Sequence, residues 1–245
     1  IVVKGCDERS VIGLIQEKQL QRDHVTIIGA PCNGVIDPAK VPSGIDVTTC
    51  TVNGDDDRTM QAAGRDGQPV TLTLDDMIYD GCQTCNVRNP GHADWLIAEP
   101  VAQPELPEID PEVAEMEQAD TERRWERFQH EMDKCILCFA CRNVCPACYC
   151  NQCFTESTKP KWMSRSSDPA DAAFFHCTRF LHLTGRCTGC GACARACPVK
   201  VDLRLYNDKL RKEVKEAFDF EAGLDPQAEA PLASFRPDDS EDFIM

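Results

Sequence analysis

The chain has no run of about 18 or more apolar residues, the length a membrane-crossing helix needs, so no transmembrane span is expected. It is poor in basic residues, with 26 Lys plus Arg against 41 Asp plus Glu and a formal net charge of −15. That balance argues against a nucleic-acid surface, which needs a basic patch to replace phosphate counterions. It argues equally against docking on an anionic bilayer. Histidine is scarce: His24, His92, His130, His176 and His182 are scattered, and none forms a metal-spaced pair with another. His176, beside Cys177, is the best exception to a purely structural role. No Ser/His/Asp or Cys/His nucleophile arrangement can be drawn. No G-x-G-x-x-G is present, and Gly54 runs into Asp55, Asp56 and Asp57, a poor seat for a phosphate. No secretory signal is visible, and cytoplasmic residence is expected. The opening Ile1-Val2-Val3-Lys4-Gly5 reads as a strand already under way, so upstream sequence is expected to be missing or processed.

Cysteine is what the chain has in excess, 17 of 245 residues. A secreted disulfide scaffold is the first alternative, but the chain is long for that class and the count is odd. Spacing favours metal.

Residues 1–30 read as strand, helix, strand. Ile1 to Val3 is an apolar run, Val11, Ile12, Leu14 and Ile15 form a helical stripe, and Val25 to Ile28 is a second run ended by Gly29 and Pro31. This predicts a βαβ unit and a parallel sheet. Residues 33–70 predict loops and short strands, and Val70 to Leu74 a strand. Pro100, Pro104, Pro107 and Pro111 mark an extended linker. A charged helix is expected over 112–133, its Arg123, Arg124 and Arg127 with Glu122 and Glu126 forming a solvated face with i,i+4 pairs. Trp125 and Phe128 on that helix are expected to pack on the cysteine-rich part. A second helix is expected over about 202–219, then an irregular acidic tail. The fold class is therefore α/β, α+β overall. Its expected units are a small parallel βαβ-containing domain (1–98), a linker and helix (99–133), a cysteine-rich domain (134–205) and a helix with tail (206–245).

The strongest signal is Cys135-x2-Cys138-x2-Cys141-x3-Cys145-Pro146, repeated as Cys187-x2-Cys190-x2-Cys193-x3-Cys197-Pro198. This is the pattern of bacterial ferredoxins that hold two [4Fe–4S] clusters. Two-residue gaps let a tight loop wrap three thiolates round one face of a cubane while amide N–H groups point at its sulfides. The fourth Cys starts a turn away from that loop and ligates the other cluster. Cys135, Cys138, Cys141 and Cys197 are thus expected on one cluster, and Cys187, Cys190, Cys193 and Cys145 on the other. Zinc also uses C-x2-C pairs, but two complete runs each ending in Pro fit it poorly. Gly189 and Gly191 stand where backbone must approach a cluster closely. Arg142, Arg186 and Arg195 adjoin ligand positions, where their charge would either raise a cluster potential or simply be solvated at the surface. Between the motifs, 146–186 forms a long insertion with Cys148, Cys150, Cys153 and Cys177. These read either as a further metal site or alternative ligands, or as buried thiols.

Five cysteines precede this module. Cys6 and Cys32 each follow a predicted strand, where open parallel sheets place ligands, and Cys82-x2-Cys85 is a pair after Gly81. Gly5-Cys6-Asp7-Glu8-Arg9-Ser10, Ile28-Gly29-Ala30-Pro31-Cys32, and Cys82-x2-Cys85 ahead of Ala93-Asp94-Trp95-Leu96-Ile97 resemble the beta subunit of deazaflavin-reducing hydrogenases and related formate dehydrogenases. The resemblance covers roughly residues 1–100. It implies that Cys6, Cys32, Cys82 and Cys85 hold a third [4Fe–4S] cluster beside a flavin, and it leaves Cys50 without a role. The family's upstream portion, which supplies much of the flavin site, has no counterpart here. FAD is therefore expected only if an upstream segment or a partner completes its site.

These observations predict an iron–sulfur electron-transfer subunit of an anaerobic multi-subunit oxidoreductase, relaying single electrons rather than catalysing alone. By the resemblance its partners would be subunits of a formate dehydrogenase, a hydrogenase or a heterodisulfide-reductase-like flavoprotein. The alternatives are a flavin-dependent subunit that reduces a deazaflavin or similar carrier, and a non-redox zinc-binding adaptor.

Overall fold

Val2–Val3 (β1) and Ile28–Gly29 (β2) pair in parallel, with Gly5–Gln16 (α1) crossing between them. Trp95–Leu96 (β6) pairs in parallel with the far side of β2, giving the order β1-β2-β6. The α/β class and the βαβ unit hold. The second strand is shorter than the apolar run from Val25: Ile27, fully buried, lies just before it. Asp94 fixes β6 beside β2, accepting hydrogen bonds from the Ile27 N–H at 2.7 Å and from Arg22 at 2.6 Å.

The computed structural model describes residues 1–52, 58–106, 110–164 and 168–231. Gly54, Asp55, Asp56 and Asp57, the linker's Pro107 and the acidic tail from 232 on lie outside the described residues. Ile45–Val52 (β3), Thr59–Gly64 (β4) and Pro69–Thr73 (β5) form an antiparallel sheet in sequence order. The strand expected over 70–74 stops one residue early, since Leu74 opens the short helix Leu74–Met77 (α2) and turns into a core with Met60, Met77 and Ile78. Asp80–Gln83 (α3) follows. The proline-marked stretch is irregular but anchored. Asn89 bonds Val101 through both ends of its amide, at 2.7 and 2.9 Å, and Gln103 accepts from the Arg88 N–H at 2.8 Å.

The single helix expected over 112–133 is two helices, Pro111–Gln118 (α4) and Thr121–Asp133 (α5). Ala119 is extended, and the Asp120 carboxylate caps α5 by accepting from the Arg123 N–H. Asp and Asn offer the backbone this alternative to a continuing helix. The expected i,i+4 pairs are absent among the described residues. Arg127 instead reaches Asp202 at 3.5 Å, while residues 121–126 are exposed. Phe128 packs into the cysteine-rich core and edge-on to Tyr206, whereas Trp125 stacks on Phe128 with its outer face in solvent.

Ala140–Asn143 (α6) and Ala192–Ala196 (α8) are the short helices inside the two cysteine motifs, and they pack on each other. The 146–186 insertion contains Pro169–Leu183 (α7), which the sequence reading missed. Its buried positions Ala172, Phe175, His176, Arg179, Phe180 and Leu183 follow helical spacing, and Ala172, Phe175 and Phe180 build the core with Met132, Met163, Val201 and Leu203. Leu203–Phe218 (α9) matches the second predicted helix, and the Asp202 side chain caps it.

Residues far apart in sequence hold α1 in place. Arg9 is buried and donates through Nε to the Ala222 carbonyl at 2.8 Å. Gly223, at φ +71, lies so close that a Cβ would stand 2.0 Å from the Arg9 carbonyl oxygen. Ser10 meets Thr188 at 3.3 Å, and Arg186 pairs with Glu17 at 2.7 Å. The helix that carries Cys6 in its first turn is thus laid along the start of the second cysteine motif. Among the described residues no helix is long and apolar enough to cross a membrane.

Candidate iron–sulfur centres

The two motif loops share one backbone solution. Leu137 (φ 52) and Phe139 (φ 59) are left-handed, and Gly189 (φ 70) and Gly191 (φ 67) occupy the equivalent places in the second loop. Left-handed geometry costs a residue with a Cβ roughly 1–2 kcal/mol. The first loop offsets this with packing: Leu137 and Phe139 lie against the core, and Phe139 meets Phe175 edge-on at 5.1 Å. In the second loop glycine adopts the geometry without that cost, and a Cβ on Gly189 would fall 2.2 Å from the Arg211 guanidinium and displace it.

Around the first loop, Cys135, Cys138, Cys141 and the distant Cys197 come together. Burial pushes the Cys135 thiol up, the Leu137 N–H opposes it, and Cys197 and Cys138 add to the rise. Burial pushes Cys141 up to about 11, with Arg179 opposing and Cys135, Cys197 and Cys138 reinforcing. The Leu137 N–H points at the Cys135 Sγ at 3.4 Å and the Val201 N–H at the Cys197 Sγ at 3.3 Å. His176, buried, places Nε2 3.3 Å from the Cys135 Sγ. Its neighbour Cys177 is exposed, so the His–Cys adjacency read from sequence is not the relevant contact.

The second set is Cys187, Cys190, Cys193 and Cys145. All four line one cavity with Pro146, Arg179 and Asn207. Cys193 is pushed up to about 12 by burial, with Arg179 opposing and Cys187, Cys190 and Cys145 adding to the rise. Cys187 is pushed up to about 11 by burial, against Arg211 and the Gly189 N–H. Asn207, buried, donates to the Leu203 carbonyl at 2.6 Å and sits 3.8 Å from the Cys193 Sγ. Cys145 shares a hydrogen bond with Cys148, which raises the first thiol and lowers the second.

Cys6, Cys32, Cys82 and Cys85 form a third gathering. Cys6 sits in the first turn of α1, Cys32 follows β2, Cys82 lies on α3 and Cys85 just beyond it. Cys6 is pushed up to about 12 by burial and Asp7, against Lys4, with Cys190 and Cys85 adding to the rise. Burial raises Cys82, which also feels Cys32 and Cys85. The Gly34 N–H points at the Cys32 Sγ at 3.4 Å.

The third set abuts the second. Cys6, Cys82, Cys85 and Cys190 line one cavity with Gly81 and Gly189. A Cβ on Gly81 would lie 3.8 Å from the Gly191 Cα. Arg195 donates to the Cys190 carbonyl at 2.6 Å and opposes the rise of Cys82, so it spans both loops.

Each set offers four soft thiol donors, half-buried except for the buried Cys141 and the exposed Cys138, with amide N–H groups aimed at sulfur, which fits an iron–sulfur cluster. Among the described residues no three His, Cys, Asp or Glu side chains converge tightly enough for a single metal ion. Of the remaining cysteines, Cys148 stands beside Cys145 and Arg179, and the other four do not gather. Cys50 packs against the core of Met60, Leu74, Met77 and Ile78, Cys153 lies by Arg142 and Thr155, and Cys150 and Cys177 are exposed. Of the arginines picked from sequence, Arg142 pairs with Glu156 at 2.8 Å and Arg186 with Glu17. Arg179, Arg211 and Asn207 have no motif and were missed. For Arg179 the available signal was a charge on the apolar face of a helical pattern, one turn after His176.

A family model described as a 4Fe-4S binding domain matches residues 183–201, the stretch that carries the second motif. The F420-dependent formate dehydrogenase subunit beta of Methanocaldococcus jannaschii is 27% identical over 100 residues, covering 41% of this chain and 26% of that protein. The F420-dependent formate dehydrogenase 1 subunit beta of Methanococcus maripaludis is 22% identical over 296 aligned positions, covering 97% of this chain and 76% of the relative. The chain thus spans about a quarter of the first relative and three quarters of the second. Together, the cysteine loops, the domain match and these relatives support an iron–sulfur electron-transfer subunit that resembles the formate dehydrogenase beta-subunit family.

Proposed function

We propose that the chain relays single electrons through three [4Fe–4S] clusters in a row. Cys6, Cys32, Cys82 and Cys85 hold the outer one. Cys187, Cys190, Cys193 and Cys145 hold the middle one, and Cys135, Cys138, Cys141 and Cys197 the inner one. The observation that carries this reading is the meeting of Cys6 and Cys190 across one cavity. It sets the outer site against the middle one, and α6 packed on α8 sets the middle against the inner. Each cluster, when bound, takes up or gives one electron. The chain's own groups supply thiolate ligands and N–H donors to sulfur at Leu137, Val201 and Gly34. No acid–base group is needed. In this reading residues 1–98 carry the outer site, 134–205 the other two, 99–133 join them, and 206–245 close the chain. By likeness to its relatives, its partner is a redox subunit of formate dehydrogenase type.

Iron content of the anaerobically purified chain tests the proposal. Three clusters predict about 12 Fe per chain, and the two ferredoxin-type sites alone about 8. Cys82→Ser should lower the count by about 4. No change on that substitution removes the outer cluster. Zinc without cluster absorbance sinks the whole reading in favour of an adaptor, and stoichiometric flavin moves it to a flavin-dependent subunit.

A further inference from the structure

We infer that Arg179 is a positioning charge shared by the inner and middle clusters, holding both toward their reduced states. The inference rests on the cluster reading above. Arg179 lies on α7 and is 3% exposed. Its Nη2 donates to the Cys141 carbonyl at 3.2 Å, inside the inner loop. Its Nε and Nη1 are buried with no hydrogen-bond partner in the protein. It lines the cavity formed by Cys145, Cys187, Cys190 and Cys193. Its electrostatic neighbours are Cys193 and Cys145 of the middle set, Cys141 of the inner set, and Cys148.

A buried cation without a counter-charge is strongly unfavourable, and proteins keep one only beside something negative. Among the described residues no carboxylate pairs with Arg179, and the groups it faces are cysteines of the two sets together with Cys148, whose thiol it lowers. Arg211, a half-buried arginine near the middle set, is different: Asp208 pairs with it at 2.8 Å. A guanidinium carries five N–H donors in a fixed fork. One end of the fork is spent on Cys141, and the orphaned donors are left for sulfur. An added electron makes a cluster more negative, and nearby positive charge and hydrogen bonds to sulfur favour that state. Arg179 exchanges neither electron nor proton. It lowers the cost of placing the electron on either of the two clusters, and so limits the step between them.

The test uses the full chain, reconstituted anaerobically, as wild type, Arg179→Met and Arg179→Lys. Iron content and an EPR-monitored redox titration are read on each. Arg179→Met is expected to keep its iron and to lower both midpoint potentials. About a tenfold loss of the reduced form at a fixed poise is expected at each, which for one electron is about 59 mV. Arg179→Lys, which keeps the charge, is expected to restore most of the shift. Full iron with unchanged midpoints in Arg179→Met overturns the inference. So does an equal fall in both variants, which would make the effect one of packing. If only the methionine variant loses its clusters, wild-type potentials in the lysine variant support the inference and lowered ones refute it. Loss of clusters from both overturns it, since Arg179 would then be a scaffold. A wild-type chain that binds no clusters refutes the function proposed above instead.

Discussion

Replacing Gly5 by Ala should unseat Cys6. Gly5 is the first residue of α1 and is buried against the loop that follows Cys85. A Cβ there would stand 2.2 Å from the Val87 carbonyl oxygen and 3.0 Å from its carbon. Ordinary contact starts near 3.4 Å, so the two backbones must part by roughly 1 Å. Either way a ligand moves, because Cys6 adjoins Gly5 and Cys85 is two residues from Val87. A site of this kind tolerates about 0.5 Å. Overpacking of a close backbone contact costs about 1–3 kcal/mol. Helix propensity works the other way, by up to about 1 kcal/mol in favour of Ala. A net loss of about 1–2 kcal/mol is expected from these two contributions. Gly13 on the same helix is the control, since a Cβ there meets nothing within 4 Å. Gly13→Ala should therefore stabilise by about 1 kcal/mol. Urea unfolding of the iron-free chains gives the stabilities, and iron analysis after reconstitution gives the occupancy. Gly5→Ala should lose about 4 of about 12 Fe and keep the ferredoxin-type sites. Gly13→Ala should lose none. If Gly5→Ala keeps all its iron and matches Gly13→Ala in stability, the close approach does not position the outer site.

Two further substitutions test local physics. Lys18, exposed just past the end of α1, is left-handed at φ 57. The conformation costs a non-glycine residue about 1–2 kcal/mol, and part of that gain is returned as chain entropy when glycine is introduced. Lys18→Gly should raise stability by about 0.5–1 kcal/mol, read as a higher thermal midpoint; a lower one would contradict the conformation. Arg58 donates to Asp75 at 2.9 Å and holds its carboxyl below the usual carboxylate range. The pair's contribution is thus present above the ordinary carboxyl pKa of about 3.9 and is lost as pH falls through the lower folded value. Asp75 is half exposed, so the effect is small, below about 1 kcal/mol. Asp75→Asn should flatten the acid limb of urea midpoint against pH, and an unchanged limb would discount the pair.

The local features followed from local spacing. Strand, helix and strand over the first thirty residues could be read from apolar periodicity, because a βαβ unit places its buried residues at fixed intervals. The two cysteine motifs could be read for a similar reason: a loop that wraps a cluster needs two residues between successive thiols, wherever the rest of the chain goes. Leu74, which ends β5 early, and Asp120, which divides the helix expected over 112–133, mark a boundary signal weaker than the periodicity around it.

Other features depend on contacts that no short window contains. Arg9 meets Ala222 and Gly223 across more than two hundred residues, and this, with Ser10 on Thr188, brings Cys6 beside Cys190. The spacing of cysteines assigns thiols to a set, but packing decides which sets are neighbours and so whether a path for electrons exists. Arg179 makes the same point for charge. In sequence it is one arginine among many. Helix α7 buries it between two cysteine sets, where low dielectric makes one positive charge count for far more than the several solvated ones nearer to the motifs.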